Sequence, residues 1–170
     1  NAGVSLKVSD FCDRFSCSST LADDDYDVVY LLAAVAHASR SNDDPVVAMT
    51  NQLLPLHNLI SELTTKPNTR LVFLSSSTVY GHFTKDTVDE TDDWNPFGMY
   101  AVLKHMGEKL LGEFKGHSNL NFAVVRPSAL YGERCISRRV SQIFLENAIA
   151  GRPLIFSGNA DEKLDFTYIA

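Results

Sequence analysis

An α/β fold built on a parallel sheet is predicted for this chain from three observations. Short apolar runs of strand length alternate with longer segments of helical period, and strands separated by helices imply right-handed crossovers. With 170 residues and 45% hydrophobic side chains, the chain can bury the core of one sizeable domain. Finally, the run "LVFL" passes directly into the hydroxyl row "SSSTVYG". Hydroxyls do not suit a buried strand, but the carboxyl end of a parallel strand is where open α/β sheets place their ligands.

Taken in order, "VSLKVSD" (4–10) is a short strand candidate and "YDVVYLLAA" (26–34) a clearer one. "DPVVAMTNQLLPLHNLISELTTK" (44–66) has the form of a helix, with Pro45 after Asp43 and Asp44 as its start and Pro55 expected to kink it. After "LVFL" (71–74) a polar loop runs through "DETDDWNPFG" into the helix "MYAVLKHMGEKLLGEF" (99–114), where Leu103, Met106, Leu110 and Phe114 recur at helical spacing. "NFAVVRP" (121–127) is the next strand. It leads through "SALYGER" into the amphipathic helix "SRRVSQIFLENAIAG" (137–151), with Val140, Ile143, Phe144 and Ile149 on one side and Gly151 as its stop. No repeat, low-complexity tract or linker marks a second domain, so one domain over 1–170 is expected.

Composition narrows the function. A net charge of −6 with scattered cations offers no face for a phosphate backbone, which argues against nucleic acid as a partner. No apolar run of about 18 residues and no signal-peptide pattern occur, so no membrane partner is expected and a soluble protein is. Cys12, Cys17 and Cys135 form an odd set without a CxxC pair, which fits reduced thiols in a cytoplasm. No metal site is expected, since His37, His57, His82, His105 and His117 lack ligand spacing. The run Asp23–Asp25 reads as a solvated turn.

Chemistry enters with Tyr100 and Lys104, four residues apart and therefore on one helix face. A phenol of ordinary pKa, about 10, is a poor base at neutral pH, and a neighbouring ammonium favours the phenolate. Such a pair can move a proton. Spacing alone also fits an ordinary solvated helix face.

"LSSSTVYG", "NPFGMYAVLKHMGEKLL" and "FAVVRPSALYG", in this order, resemble the extended short-chain dehydrogenase/reductase superfamily, and within it the NAD-dependent nucleotide-sugar epimerase/dehydratase branch. The resemblance covers nearly the whole chain and implies a Rossmann-like doubly wound parallel sheet. It further implies Ser76, Tyr100 and Lys104 as the catalytic set, with Ser76 steadying the sugar oxygen beside Ser75, Tyr100 exchanging its proton, and Lys104 holding the nicotinamide ribose. By the same resemblance Asp10 and Phe11 of "VSDF", in the family's third strand, flank the adenine. Leu32, Ala33 and Ala34 end its fourth strand, Asn51 lies on a helix near the cofactor, and Pro127 completes the cofactor contacts. Ser77 and Thr78 are implied as substrate contacts. Arg134, with Arg138 and Arg139, either meets a diphosphate or belongs to a solvated helix start; Arg134 is carried forward as a substrate contact. His37 falls in a loop that the resemblance places near substrate.

Departures from the family bear on the rest. Its glycine-rich phosphate loop is not among these residues, so the sequence is expected to be a fragment, lacking the first two strands and the C-terminal substrate lobe, with a gap in its sheet. Leu164 stands where relatives carry an arginine, and Ala129 where many carry an asparagine near the diphosphate. The expected activity is transient oxidation of a nucleotide sugar, most readily an epimerisation, with NAD as cofactor and NADP as the other option, and with a homodimer as a further expectation by analogy. The alternatives are an NADPH-dependent carbonyl reductase of the same superfamily and a non-catalytic nucleotide-binding fragment. A 4,6-dehydratase is disfavoured, because Ser77 and Thr78 occupy the positions of its Asp-Glu pair.

Overall fold

The computed structural model describes residues 3–22, 24–34, 38–83, 85–134, 140–157 and 165–169. The chain divides into two compact units, Asn1–Arg126 and Pro127–Ala170. In the first, helix α1 (Arg14–Ala22) precedes strand β1 (Val28–Leu31), followed by α2 (Ala38–Asp43), α3 (Pro45–Leu63), β2 (Arg70–Leu74), a 3-10 turn (Ser77–Tyr80), α4 (Met99–His117) and β3 (Asn121–Val125). The three strands form a parallel sheet in the order β1-β2-β3, with Tyr30 opposite Val72 and Val72 opposite Ala123. In the second unit, β4 (Ala129–Tyr131) pairs in parallel with β5 (Phe166–Tyr168), and α5 (Val140–Ile149) lies between them in sequence. The architecture is Rossmann-like α/β with parallel sheets.

Local chemistry explains most boundaries. Asp44 caps α3 by accepting from the Val47 amide at 3.0 Å, and Pro45 fills the first helical position, where its missing N–H costs nothing. The helix continues across Pro55, whose ring is buried. Asp13 opens α1 in the same way as Asp44, accepting from the Ser16 amide at 2.8 Å. Gly151, at φ +63°, stops α5 as expected. Alternation in β2 buries Leu71 and Phe73 against Leu56, Leu59, Ile60 and Leu63 of α3, Leu111 of α4, and Cys17 and Leu21 of α1. At Gly107 a Cβ would stand 2.7 Å from the Phe73 ring and 3.1 Å from Leu56, so α4 approaches the sheet closely only because that position is glycine.

Several expectations are corrected. Residues 4–10 form no strand: Val4, Leu6 and Val8 are 96%, 90% and 99% exposed. Their alternation is real, but a strand exists through its ladder, and among the described residues none pairs with this stretch. Asp10 and Phe11 therefore stand at a turn, where the Cys12 amide donates to Asp10 Oδ1 at 2.8 Å. On α4, Met106 does not join the core face. It is 43% exposed, and Leu103, Gly107 and Leu111 line the buried side together with Ala101, Lys104 and Glu108. No residue of α5 is fully buried; Val140 and Ile149 are exposed, and Ile143 and Phe144 are half-buried.

Candidate active site

The hydroxyl row begins where β2 ends. Ser76 is extended and caps the 3-10 turn: its oxygen accepts from the Thr78 amide at 3.2 Å and from the Thr78 hydroxyl at 3.0 Å. Two donors thus fix the Ser76 oxygen, which is largely buried, while Ser77 is half-buried and Thr78 is exposed. The turn closes at Gly81, whose φ of +69° and tight packing against the Asn95 backbone exclude a side chain.

From α4, Tyr100, Lys104 and Glu108 follow at intervals of one helical turn and share one face. Lys104 is only 4% exposed, and its ammonium donates to the Leu74 carbonyl at 2.7 Å. It lies 5.7 Å from the Tyr100 ring centroid and 5.2 Å from that of Phe73. Among the described residues no carboxylate pairs with it, and burial pushes its pKa down to about 8. An ammonium so stripped of water gains much from a nearby anion, and the half-buried Tyr100 ring is its neighbour one turn earlier on the helix.

A second set of contacts was not read from the sequence. The Ser75 hydroxyl donates to Glu108 Oε1, and the Ser75 amide donates to the Val125 carbonyl at 2.8 Å. Arg126 grips the same carboxylate, Nη2 to Oε2 at 2.6 Å and Nε to Oε1 at 3.0 Å, while Nη1 donates to the Tyr80 hydroxyl at 2.6 Å. Its guanidinium lies over the rings of Tyr80 and Trp94, at 5.1 and 5.0 Å. This network holds the Arg126 proton above even the usual arginine range, chiefly through its bonds to Glu108. The one signal available was Glu108, a further turn beyond Lys104 on the same face.

The other expected residues divide by location. Next to Asp10 and Phe11 in the same turn, the Cys12 thiol donates to the Asn51 side-chain oxygen at 3.7 Å. Asn58, also unforeseen, is buried and donates to the carbonyls of Phe11 and Cys12 at 2.9 and 3.2 Å, holding that turn on α3. Leu32 and Ala33 are exposed beyond β1, and Ala34 is half-buried. Pro127 and Arg134 belong to the second unit; Arg134 is exposed, with φ +63°. Ala129 is buried there and pairs with Phe166. His37, Cys135, Arg138, Arg139, Leu164 and Asp23 lie outside the described residues. Among the described histidines, His57, His82 and His105 pack against Phe114, Phe97 and Trp94, and no group of three metal-ligating side chains gathers among the described residues. A shallow depression of about 470 Å³ is lined by Glu90, Asp92, Trp94, His105 and Lys109 among others, and none of Ser76, Tyr100 or Lys104 reaches it.

The sequence profile of the NAD dependent epimerase/dehydratase family matches residues 2–170. The chain belongs to this family. It is 28% identical over 146 residues to the uncharacterized UDP-glucose epimerase YtcB of Bacillus subtilis, covering 85% of this chain and 46% of that one. Identity to the dTDP-glucose 4,6-dehydratase of Escherichia coli is 23% over 188 residues, covering 99% of this chain and 52% of the other. Among solved structures, the UDP-glucuronic acid 4-epimerase of Bacillus cereus, in complex with UDP-glucuronic acid and NAD, superposes with a TM-score of 0.79 at 26% identity, over 92% of this chain and 50% of that one. The chain thus spans about half the length of the curated relatives it matches.

For a member of the epimerase/dehydratase family, the residues present fit a dinucleotide cofactor. The buried Lys104 ammonium, which among the described residues meets the Leu74 carbonyl and the rings of Phe73 and Tyr100, suits a hydroxyl-rich ribose, and the braced turn at Asp10–Cys12 leaves the Asp10 carboxylate exposed. The lysine can be checked directly. We expect the Lys104 side chain, followed by ¹³Cε NMR, to titrate with a midpoint near pH 8. Because this value lies below the roughly 10.4 of an unfolded lysine, the unfolded chain binds the proton more tightly. The burial cost is therefore present below pH 8 and is relieved as pH rises from about 8 toward 10.4. A midpoint at the ordinary lysine value would contradict the burial described here.

Proposed function

We propose that the full-length protein is an NAD-dependent epimerase acting on a nucleotide sugar by transient oxidation, and that this chain forms the part of its cofactor-binding domain that carries the proton-transfer residues. One observation carries the reading: Lys104, buried beside Tyr100, is tied to the Leu74 carbonyl two residues before Ser76. Proton transfer, cofactor holding and substrate orientation are thereby gathered around a single strand end.

In this reading the Tyr100 phenolate takes the proton from a sugar hydroxyl and later returns it, while the desolvated Lys104 ammonium keeps the phenolate accessible near neutral pH. Ser76, its oxygen already accepting from Thr78, directs its own hydroxyl proton toward the sugar oxygen. When bound, the nicotinamide supplies reversible hydride exchange at the sugar carbon. Lys104 also holds the ribose hydroxyls, Asp10, Phe11, Leu32, Ala33, Ala34, Asn51 and Pro127 bind the cofactor, and Ser77, Thr78 and Arg134 meet the substrate.

Ser77 and Thr78, in place of an acid pair that could eliminate water, favour epimerisation over dehydration. Exposed Val46, Val47 and Met49 on α3 and Met106 on α4 support a homodimer formed through these helices. No helix of the described residues is long and apolar enough to cross a membrane. The unpaired thiols Cys12 and Cys17 support a cytoplasmic setting.

The test uses the full-length protein with a panel of UDP-, GDP- and dTDP-sugars, following epimer formation by NMR and nicotinamide absorbance together. Interconversion of two sugars without net absorbance change is expected, because an epimerase returns what it removes. Stoichiometric consumption of NADPH on a carbonyl compound, with no epimer formed, would establish the reductase instead.

A further inference from the structure

We propose that Glu108 and Arg126 act as a charge-neutral positioning clamp, which fixes the serine-bearing end of β2 against the Tyr100/Lys104 face of α4 and keeps the Glu108 charge from Lys104. The inference rests on the function proposed above for what it says about turnover, but its electrostatic part does not.

The contacts carry it. Leu74 and Ser75, immediately before Ser76, are held from two directions: Lys104 and Glu108 of α4 bind the Leu74 carbonyl and the Ser75 hydroxyl, and the Val125 carbonyl of β3 binds the Ser75 amide. Arg126, the residue after β3, closes the ring by its double grip on Glu108. The two side chains are 14% and 3% exposed, so the pair has left water almost completely. Buried ion pairs seldom outperform apolar residues of similar size in stability. Packing therefore supplies little reason for this one, whereas a fork that fixes direction as well as distance suits a site in which Ser76 must meet Tyr100.

The second part concerns charge. On α4, Tyr100 and Glu108 stand one turn to either side of Lys104. The end of β2 offers the Leu74 carbonyl and the Ser75 hydroxyl, Arg126 follows β3, and the 3-10 turn contributes Tyr80. Of the titratable groups on α3, Glu62 accepts from Ser18, and His57 lies against Phe114; α2 carries Asp43. Glu108 is thus the anion nearest Lys104 along its own helix, and Arg126 neutralises it. Unpaired, Glu108 would hold the Lys104 proton and weaken the demand of that ammonium for a phenolate.

The experiment compares Glu108→Gln, Arg126→Met, Arg126→Lys and the double variant Glu108→Gln/Arg126→Met in the full-length protein. The readouts are the Lys104 ¹³Cε titration and steady-state kinetics against pH. Glu108→Gln leaves a lone cation and lowers the Lys104 midpoint, whereas Arg126→Met leaves a lone anion and raises it, each by about one pH unit. The double variant returns the midpoint to within a few tenths of wild type, and it serves with Glu108→Gln if the lone buried anion of Arg126→Met prevents folding. Arg126→Lys keeps the charge and the midpoint but loses the fork, so turnover falls about 10- to 100-fold with KM little changed.

Midpoints that move in the same direction in Glu108→Gln and Arg126→Met, or that stay fixed in Glu108→Gln, overturn the proposal. So does wild-type turnover in Arg126→Lys. A wild-type protein that epimerises no nucleotide sugar counts against the proposed function alone, and the Lys104 titration still decides the charge part of the clamp.

Discussion

Replacing Tyr100 by phenylalanine in the full-length protein lowers turnover by about 10² or more, the scale on which a positioned general acid–base group acts. The change removes one oxygen and leaves the half-buried ring beside Lys104, with no cavity formed in the core. Cofactor affinity, measured by fluorescence titration, is therefore expected to stay within about twofold, with the loss confined to the chemical step. Lys104 retains the Leu74 carbonyl and the Phe73 ring, so its burial and midpoint persist. Turnover at the wild-type level would remove Tyr100 from proton transfer and with it the reading of the site.

The largest loss of stability is expected from Gly81→Ala. A Cβ there would overlap the Asn95 carbonyl oxygen and stand 3.0 Å from its carbon, both backbone atoms that no rotamer change can move aside. The conformation, φ +69° and ψ −136°, is one that residues with a side chain adopt only at a cost of about 1–3 kcal/mol. Relief requires breaking the bond from the Asn95 amide to the Val79 carbonyl, at 3.1 Å, which ties the loop to the 3-10 turn. Trp94, the single tryptophan, precedes that tether and covers Arg126. Denaturation followed by Trp94 fluorescence should show a loss of roughly 3 kcal/mol or more and a red-shifted native emission. A variant with wild-type stability would mean that the loop does not hold this path.

Legibility in the sequence followed the type of signal. The run 71–74, the Asp44–Pro45 helix start and the Gly151 stop depend on neighbours in sequence, and each stands where local chemistry put it. The stretch 4–10 carried the same alternation as a strand, but pairing is decided by another segment, which sequence period cannot report. Helix α1, the short α2 and the strands β4 and β5 were not foreseen. Tyr100 and Lys104 were found by spacing and resemblance. Glu108, Arg126 and Asn58 are not legible in the sequence because charged and amide side chains are ordinarily solvated, and only the fold shows how far they are removed from water. Lys104 and Glu108, two charges on the inner face of α4, explain the outcome at Met106: the stripe that faces the core is partly ionic, so an apolar count selects the wrong side.

Gly107 sets a mechanical limit on this design. The helix bearing Tyr100 and Lys104 rests on the Phe73 ring through a hydrogen where any other residue would place a carbon. Its height above the sheet is therefore fixed by covalent radii, with a tolerance smaller than a methyl group. Shifting this helix would separate Lys104 from the Leu74 carbonyl at the strand end to which it is tied. Local change is instead absorbed at the exposed end of the hydroxyl row, at Thr78 and in the loop beyond it, while the helix and its aromatic seat stay fixed.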